Sequence, residues 1–297
     1  MKYNPLGWSQ MNISRIGFGC MSLGKDQKEN TKIIHAAIDA GINFFDTADL
    51  YDKGMNEVSV GQALTSKRKE IMIATKVGNE WKEDGTGWTW NPAKDYILKS
   101  VDKSLQRLRT DYIDLYQLHG GTIDDPTDET IKAFEQLVAA GKIRFYGISS
   151  IRTNVIRRWI ERSRITSIMM QYSLLDRRPE DIFPIIANIN IGILARGSLA
   201  QGLLANKPYK PYLNYSGEEV EKVQTGIQSL VNNNRNKAQI AIQYVLSNPA
   251  ITSAIIGIRS IQQLKDILDN NANSTLNNVE ITTLNHILPR NHYTDHI

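Results

Sequence analysis

Eight short apolar runs recur along the chain, and they constrain the fold more than any other feature. They are Arg15–Gly19, Ile42–Asp46, Ile71–Lys76, Tyr112–His119, Ile143–Ser149, Ser167–Tyr172, Ile191–Ala195 and Thr252–Gly257. Most are apolar at consecutive rather than alternate positions, as in a parallel strand covered on both faces. The segments between them read as helices. Glu29–Gly41 sets Ile33, Ile34, Ala37 and Ile38 on one side and stops at Gly41. Glu129–Lys142 does the same with Ile131, Phe134 and Leu137 and stops at Gly141. Asn91–Leu108 opens with Asn91 as N-cap and Pro92 at the first helical position, then lines up Leu98, Val101, Leu105 and Leu108. Ser260 and Gln263 have the spacing of a capping box.

Eight strand–helix units in 297 residues predict an α/β fold of the (β/α)8 TIM barrel type, one domain spanning 1–297. The competitor is a doubly wound open sheet. It would bring a glycine-rich phosphate loop into the first strand–helix turn. Gly17-Phe18-Gly19-Cys20-Met21-Ser22 lacks the third glycine of that loop, and no helical pattern follows at once.

Composition narrows the partners. Lys plus Arg number 35 against 31 for Asp plus Glu, a net charge of +4, too weak to argue for nucleic acid or a membrane surface. No apolar stretch approaches the ~18 residues that span a bilayer, and the N-terminus has no signal-peptide core. The lone Cys20 can form no internal disulfide, which suits a reducing cytosol. A cytoplasmic protein is the expectation. His286, His292 and His296 lie in the last dozen residues, where fraying is expected, and nothing nearby has metal-ligand spacing.

Four chemically distinct side chains sit at or just beyond successive strand ends: Asp46, Tyr51, Lys76 and His119. In a (β/α)8 barrel those ends converge on the face where chemistry resides. A free tyrosine titrates near ~10 and is a poor acid at neutral pH. A nearby ammonium at Lys76 favours the phenolate, and Asp46 would keep that ammonium charged. His119 can hydrogen-bond a substrate oxygen. The set suits protonation of a carbonyl oxygen while hydride reaches its carbon. Taken singly, each is an ordinary rim, capping or solvated residue. After Lys76, Trp81, Trp88 and Trp90 crowd one loop. They suggest an apolar wall for a hydrophobic aldehyde or ketone, or a pin holding the loop to the rim. Tyr209, Tyr212 and Tyr215 suggest a lid or a surface loop.

These residues resemble the aldo-keto reductase superfamily. Asp46-Thr47-Ala48-Asp49-Leu50-Tyr51 with Gly54-Met55-Asn56-Glu57 is similar to its D-T-A-x-x-Y and G-x-[SN]-E signatures. Ala74–Gly78 and Leu115–His119 resemble its lysine and histidine segments. The resemblance covers nearly the whole chain. It implies a barrel without a Rossmann domain, NADPH/NADP+ as cofactor, and reduction of small aldehydes and ketones to alcohols. Tyr51 is then the general acid/base, Lys76 and Asp46 tune it, and His119 orients substrate.

The resemblance also implies a dinucleotide groove. Gly19, Cys20 and Met21 would floor it, and Ser149, Ser150 and Gln171 would hold the nicotinamide amide. Arg196 replaces the aromatic that many members stack on the ring. Ser198, Leu199 and Gly202 would face the pyrophosphate, with the chain through Lys207 folding over it. Gly257, Arg259, Ser260 and Gln263 would hold the 2′-phosphate, at a helix N-terminus whose free N–H groups favour an anion. Asp266 would meet the adenine. The alternatives are a cofactor-sensing regulatory subunit with slow turnover, like potassium-channel β-subunits, and a phosphate-binding barrel using Lys76 as a Schiff-base amine.

Overall fold

The computed structural model describes residues 1–268 and 275–297. Its eight parallel strands close into a barrel. They are β1 (Ile16–Gly19), β2 (Phe44–Asp46), β3 (Met72–Val77), β4 (Ile113–Leu118), β5 (Ile143–Ser149), β6 (Ser167–Gln171), β7 (Gly192–Arg196) and β8 (Ile251–Gly257). Each pairs with its sequence neighbours, and β8 closes on β1 with Gly257 opposite Gly19. Five lie within the apolar runs read from the sequence, and β3, β7 and β8 each extend one residue beyond theirs.

Alternation along each strand divides the core in two. Phe44, Ala74, Leu115, Met169, Leu194 and Ile255 form the inner cluster. Phe18, Phe45, Tyr116 and Ile168 face outward into the larger cluster beneath the helices. The inner cluster is completed by Leu6, Met11 and Ile13 of an N-terminal hairpin that pairs Tyr3–Pro5 with Asn12–Ser14. The sequence reading missed this plug, because three-residue strands beside a proline carry no periodicity. Gly7 lets it seat: φ is +56°, and a Cβ there would stand 2.5 Å from the Thr166 carbonyl oxygen.

The helices around the barrel include α1 (Gln27–Asp39), α2 (Met55–Leu64), α3 (Lys94–Leu108), α4 (Thr127–Ala139), α5 (Thr153–Arg162), α6 (Phe183–Asn188), α7 (Gly217–Ser229), α8 (Lys237–Ser247), α9 (Ile261–Leu268) and α10 (Asn278–Asn285). α1 starts earlier than its apolar pattern, because the Asp26 carboxylate accepts from the N–H groups of Lys28 and Glu29. It buries Ile33, Ile34 and Ala37, while Ile38 is half-buried.

The expected start of α3 needs correction. Asn91 does not cap it: its side-chain oxygen accepts from Ala93 N–H, an Asx turn ahead of the proline-constrained backbone, and the helix begins at Lys94. Leu98 and Leu105 are only half-buried; Ile97, Ser100 and Ser104 join Val101 and Leu108 on the inner face. At α9, Ser260 Oγ accepts from Gln263 N–H at 3.1 Å, but the Gln263 side chain reaches back to Arg259 N–H, one residue before the expected partner. Among the described residues no helix is long and apolar enough to cross a membrane.

Candidate active site

Asp46 and Lys76 end up inside the barrel mouth because each follows an inward-facing core residue by two positions, Phe44 and Ala74. Lys76 Nζ donates to both Asp46 carboxylate oxygens, at 2.8 and 2.7 Å, and to the Thr47 carbonyl at 2.7 Å. All three ammonium hydrogens are used in a fully buried pocket. Burial pulls Lys76 toward its neutral form, but the charges of Asp46 and Tyr51 and their hydrogen bonding outweigh it and hold the amine above its ordinary value. Burial raises the Asp46 carboxyl, and the Lys76 ammonium pulls it back.

Tyr51 reaches this pair from the loop leaving β2. Its backbone N–H bonds the Ala48 carbonyl, and Asp49 N–H bonds the Lys76 carbonyl, so the loop is laced to β3. Asp52 and Lys53 take left-handed backbone, φ 48° and 53°, to turn the chain into α2. The Lys76 ammonium lies 5.2 Å from the centre of the Tyr51 ring. His119, one residue past β4, bonds the Val77 carbonyl through its backbone N–H at 2.7 Å. Its ring meets that of Tyr51 at 5.8 Å between centroids. Burial, with the charges of Lys76 and Arg196, lowers the His119 pKa to about 3. The imidazole is therefore neutral at physiological pH, and its Nδ1 is buried without a partner among the described residues.

The residues that hold this group were not assigned roles from sequence. Asn56 accepts from Thr47 Oγ1 at 2.6 Å and donates to the Cys20 carbonyl at 2.9 Å. Glu57, fully buried, accepts from Thr75 Oγ1 at 2.6 Å and from Arg107 Nε at 2.7 Å. Together they clamp α2 across the ends of β1, β2 and β3, which gives the G-x-[SN]-E pattern a physical reason. Asp49 is nearly buried, and its Oδ1 has no partner among the described residues. Burial, then the nearby Glu57 charge, raises its pKa to about 8. Its only sequence signal was its place between Asp46 and Tyr51.

A cavity of about 620 Å³ opens beside His119. Trp88 and Trp90 line one side of it, on a hairpin that pairs Asn79–Trp81 with Trp88–Trp90 where an irregular loop was expected. Trp90 is pinned by its indole N–H to Asp125 at 2.8 Å. Trp81 is not among the lining residues; its ring faces Lys53. The tail expected to fray instead forms a wall. His292, Tyr293 and His296 line the cavity, and the His296 carbonyl accepts from Asn154 N–H and Thr153 Oγ1.

The other expected positions divide. Ser149, Ser150 and Arg196 line the cavity. The Gln171 amide donates to Tyr212 Oη at 2.8 Å and accepts from Arg196 Nη1 at 3.2 Å. Ser198 Oγ is buried and has no partner among the described residues, and Leu199 and Gly202 follow it in the same loop, where Lys207 packs over Gly202. A Cβ on Gly257 would stand 2.4 Å from Ser22 Oγ, so that side chain would have to move. Arg259 is exposed at the start of α9, Ser260 and Gln263 serve the helix cap, and the Asp266 carboxylate accepts from Gln262 at 2.8 Å. The Cys20 side chain is packed in the outer core, and Met21, next to it in a one-turn helix from Cys20 to Ser22, is exposed. Tyr212 and Tyr215 are buried and bonded to each other through their backbones, while Tyr209 is exposed.

Comparison with known proteins agrees with this barrel. Residues 15–289 match the model of the aldo/keto reductase family. The chain is 48% identical over 275 residues to "Uncharacterized oxidoreductase YqkF" of Bacillus subtilis, covering 90% of each. It is 35% identical over 210 residues, 67% of this chain and 62% of that one, to "Aldo-keto reductase yakc [NADP(+)]" of Schizosaccharomyces pombe. The solved aldo-keto reductase AKR11C1 from Bacillus halodurans, in its holo form, superimposes with a TM-score of 0.94 at 45% identity, covering 100% of this chain and 99% of that one. The chain belongs to the aldo/keto reductase family. It is an oxidoreductase of the class that acts on small carbonyl compounds.

Proposed function

We propose that this protein reduces aldehydes and ketones to alcohols with NADPH, and that Tyr51 supplies the proton. The observation that carries this is the packing of the Tyr51 ring against a fully buried, fully bonded Lys76–Asp46 pair, with His119 on its other side. The bound cofactor would supply hydride to the carbonyl carbon. Protein groups then have to manage the oxygen.

Two of the four are poor proton donors. His119 is neutral, with a pKa of about 3, so it can orient the substrate oxygen by a hydrogen bond but holds no spare proton at pH 7. Lys76 has all three hydrogens committed and is held charged, which also disfavours its use as a Schiff-base nucleophile, since attack needs a free amine. Asp46 has both carboxylate oxygens occupied as acceptors from Lys76, which leaves Tyr51 as the acid, with an ammonium beside it to stabilise the phenolate that protonation leaves behind.

The groove suits a dinucleotide. Among the described residues Ser198 Oγ lacks a partner and Arg259 has no side-chain partner. Ser149, Ser150, Gln171 and Arg196 would surround the nicotinamide, and Arg259 with the start of α9 would hold the 2′-phosphate. The relative named for NADP(+) favours the same cofactor. A cytoplasmic monomer stays the working expectation, tested by fractionation and sedimentation.

The test is Tyr51→Phe. The variant should bind NADPH but reduce a reactive aldehyde at least about 10²-fold more slowly. Wild-type turnover in that variant would end the assignment of Tyr51 as acid.

A further inference from the structure

We infer that the preferred substrates carry a negative charge, a carboxylate or phosphate group, which Arg152 receives. This deepens the proposed reduction and rests on it. The cavity beside His119 has three arginines in its wall, Arg152, Arg178 and Arg196, against one carboxylate, Asp295. Arg178 is neutralised: its guanidinium makes two parallel bonds to the buried Asp176, at 2.7 and 2.8 Å. Arg152 and Arg196 differ. Arg152 Nη1 donates only to the Gly121 carbonyl, and Arg196 Nη1 only to the Gln171 amide oxygen. Neither has a carboxylate partner among the described residues. Each guanidinium brings five N–H donors and spends one.

Their positions separate their uses. Arg196 ends β7 and is tied to Gln171, on the side proposed for the nicotinamide. Arg152 lies between β5 and α5 and is anchored to Gly121, two residues beyond His119. A carbonyl held at His119 therefore extends its far end toward Arg152, between Trp88 and Trp90 and the C-terminal wall. A planar, half-buried guanidinium with free donors matches a carboxylate or phosphate in two-point contact. The unpartnered hydroxyl of Tyr293, buried in the same wall, adds a donor. Aromatic sides and a cationic end fit an apolar or aromatic aldehyde with an anionic group at its far end.

The experiment compares kcat/KM for 4-carboxybenzaldehyde with 4-methylbenzaldehyde, and for glyceraldehyde 3-phosphate with glyceraldehyde. The two arms separate carboxylate from phosphate. One or both charged members should be preferred by about tenfold at low salt, less so at about 0.5 M salt. Arg152→Gln should lower the charged-to-uncharged ratio at least about fivefold. Arg152→Lys should restore part of it, and Arg162→Gln, exposed and paired with Asp128, should not change it. Ratios near one in wild type, or an undiminished preference in Arg152→Gln, overturn the inference while leaving aldehyde reduction standing. If no aldehyde is reduced, the reduction itself fails. Binding then still decides the anion site: 4-(hydroxymethyl)benzoate should quench tryptophan fluorescence at lower concentration than 4-methylbenzyl alcohol, and equal binding overturns it.

Discussion

The rings of Tyr51 and His119 meet edge to face, with centroids 5.8 Å apart and planes at 83°. The contact joins the loop after β2 to the end of β4 across the barrel mouth, and it buries the imidazole. With a pKa near 3 in the fold and an ordinary value of 6.5, His119 binds fewer protons native than unfolded between those limits. Its contribution is fully present above pH 6.5 and is lost as the pH falls toward 3. Wild type should therefore lose stability relative to His119→Asn as the pH drops from about 6.5 to 4. Thermal melts across that range check it, and an imidazole NMR titration near pH 6.5 would contradict it.

Asp49 gives the opposite slope. Its pKa is about 8 in the fold against an ordinary 3.8, so the native state keeps a proton that the unfolded chain releases. That contribution is fully present below pH 3.8 and is lost as the pH rises through about 8. Wild type should lose stability relative to Asp49→Asn between pH 5 and pH 8.5, which paired melts at the two ends measure. Parallel curves would mean that Asp49 is ionised in the fold.

Lys76 and Asp46 are a buried pair, so removing one partner is worse than removing both. Asp46→Leu leaves an ammonium inside the barrel mouth with the Thr47 carbonyl and Tyr51 but without its carboxylate, at a cost of about 3–5 kcal/mol. The double variant Asp46→Leu with Lys76→Met should recover a large part of that loss. Denaturant titrations of the two single variants and the double test this, and simple additivity would argue against an ion pair.

Arg259 bears on cofactor choice. If it receives the 2′-phosphate, Arg259→Ala should weaken NADPH binding by about tenfold and NADH binding hardly at all. Fluorescence titration with each cofactor reads this directly. Equal affinities for both in wild type, unchanged in the variant, would remove the assignment.

The strands were legible because each is apolar on both faces, and the four strand-end groups were legible because a barrel brings such ends to one rim. The N-terminal plug was not: Leu6, Met11 and Ile13 look like scattered apolar residues until the barrel bottom that they close exists. The same holds for Asn56 and Glu57, whose partners Thr47, Thr75 and Arg107 lie on other elements.

By itself the sequence determined the barrel and the chemical types at its mouth, since strand periodicity and side-chain identity are local properties. Only the tertiary structure decided that Cys20 faces the core, that the last residues wall a cavity, and that Arg152 has no carboxylate partner among the described residues. Those outcomes depend on which distant groups share a space and how much water reaches them, and neither can be read from neighbours along the chain.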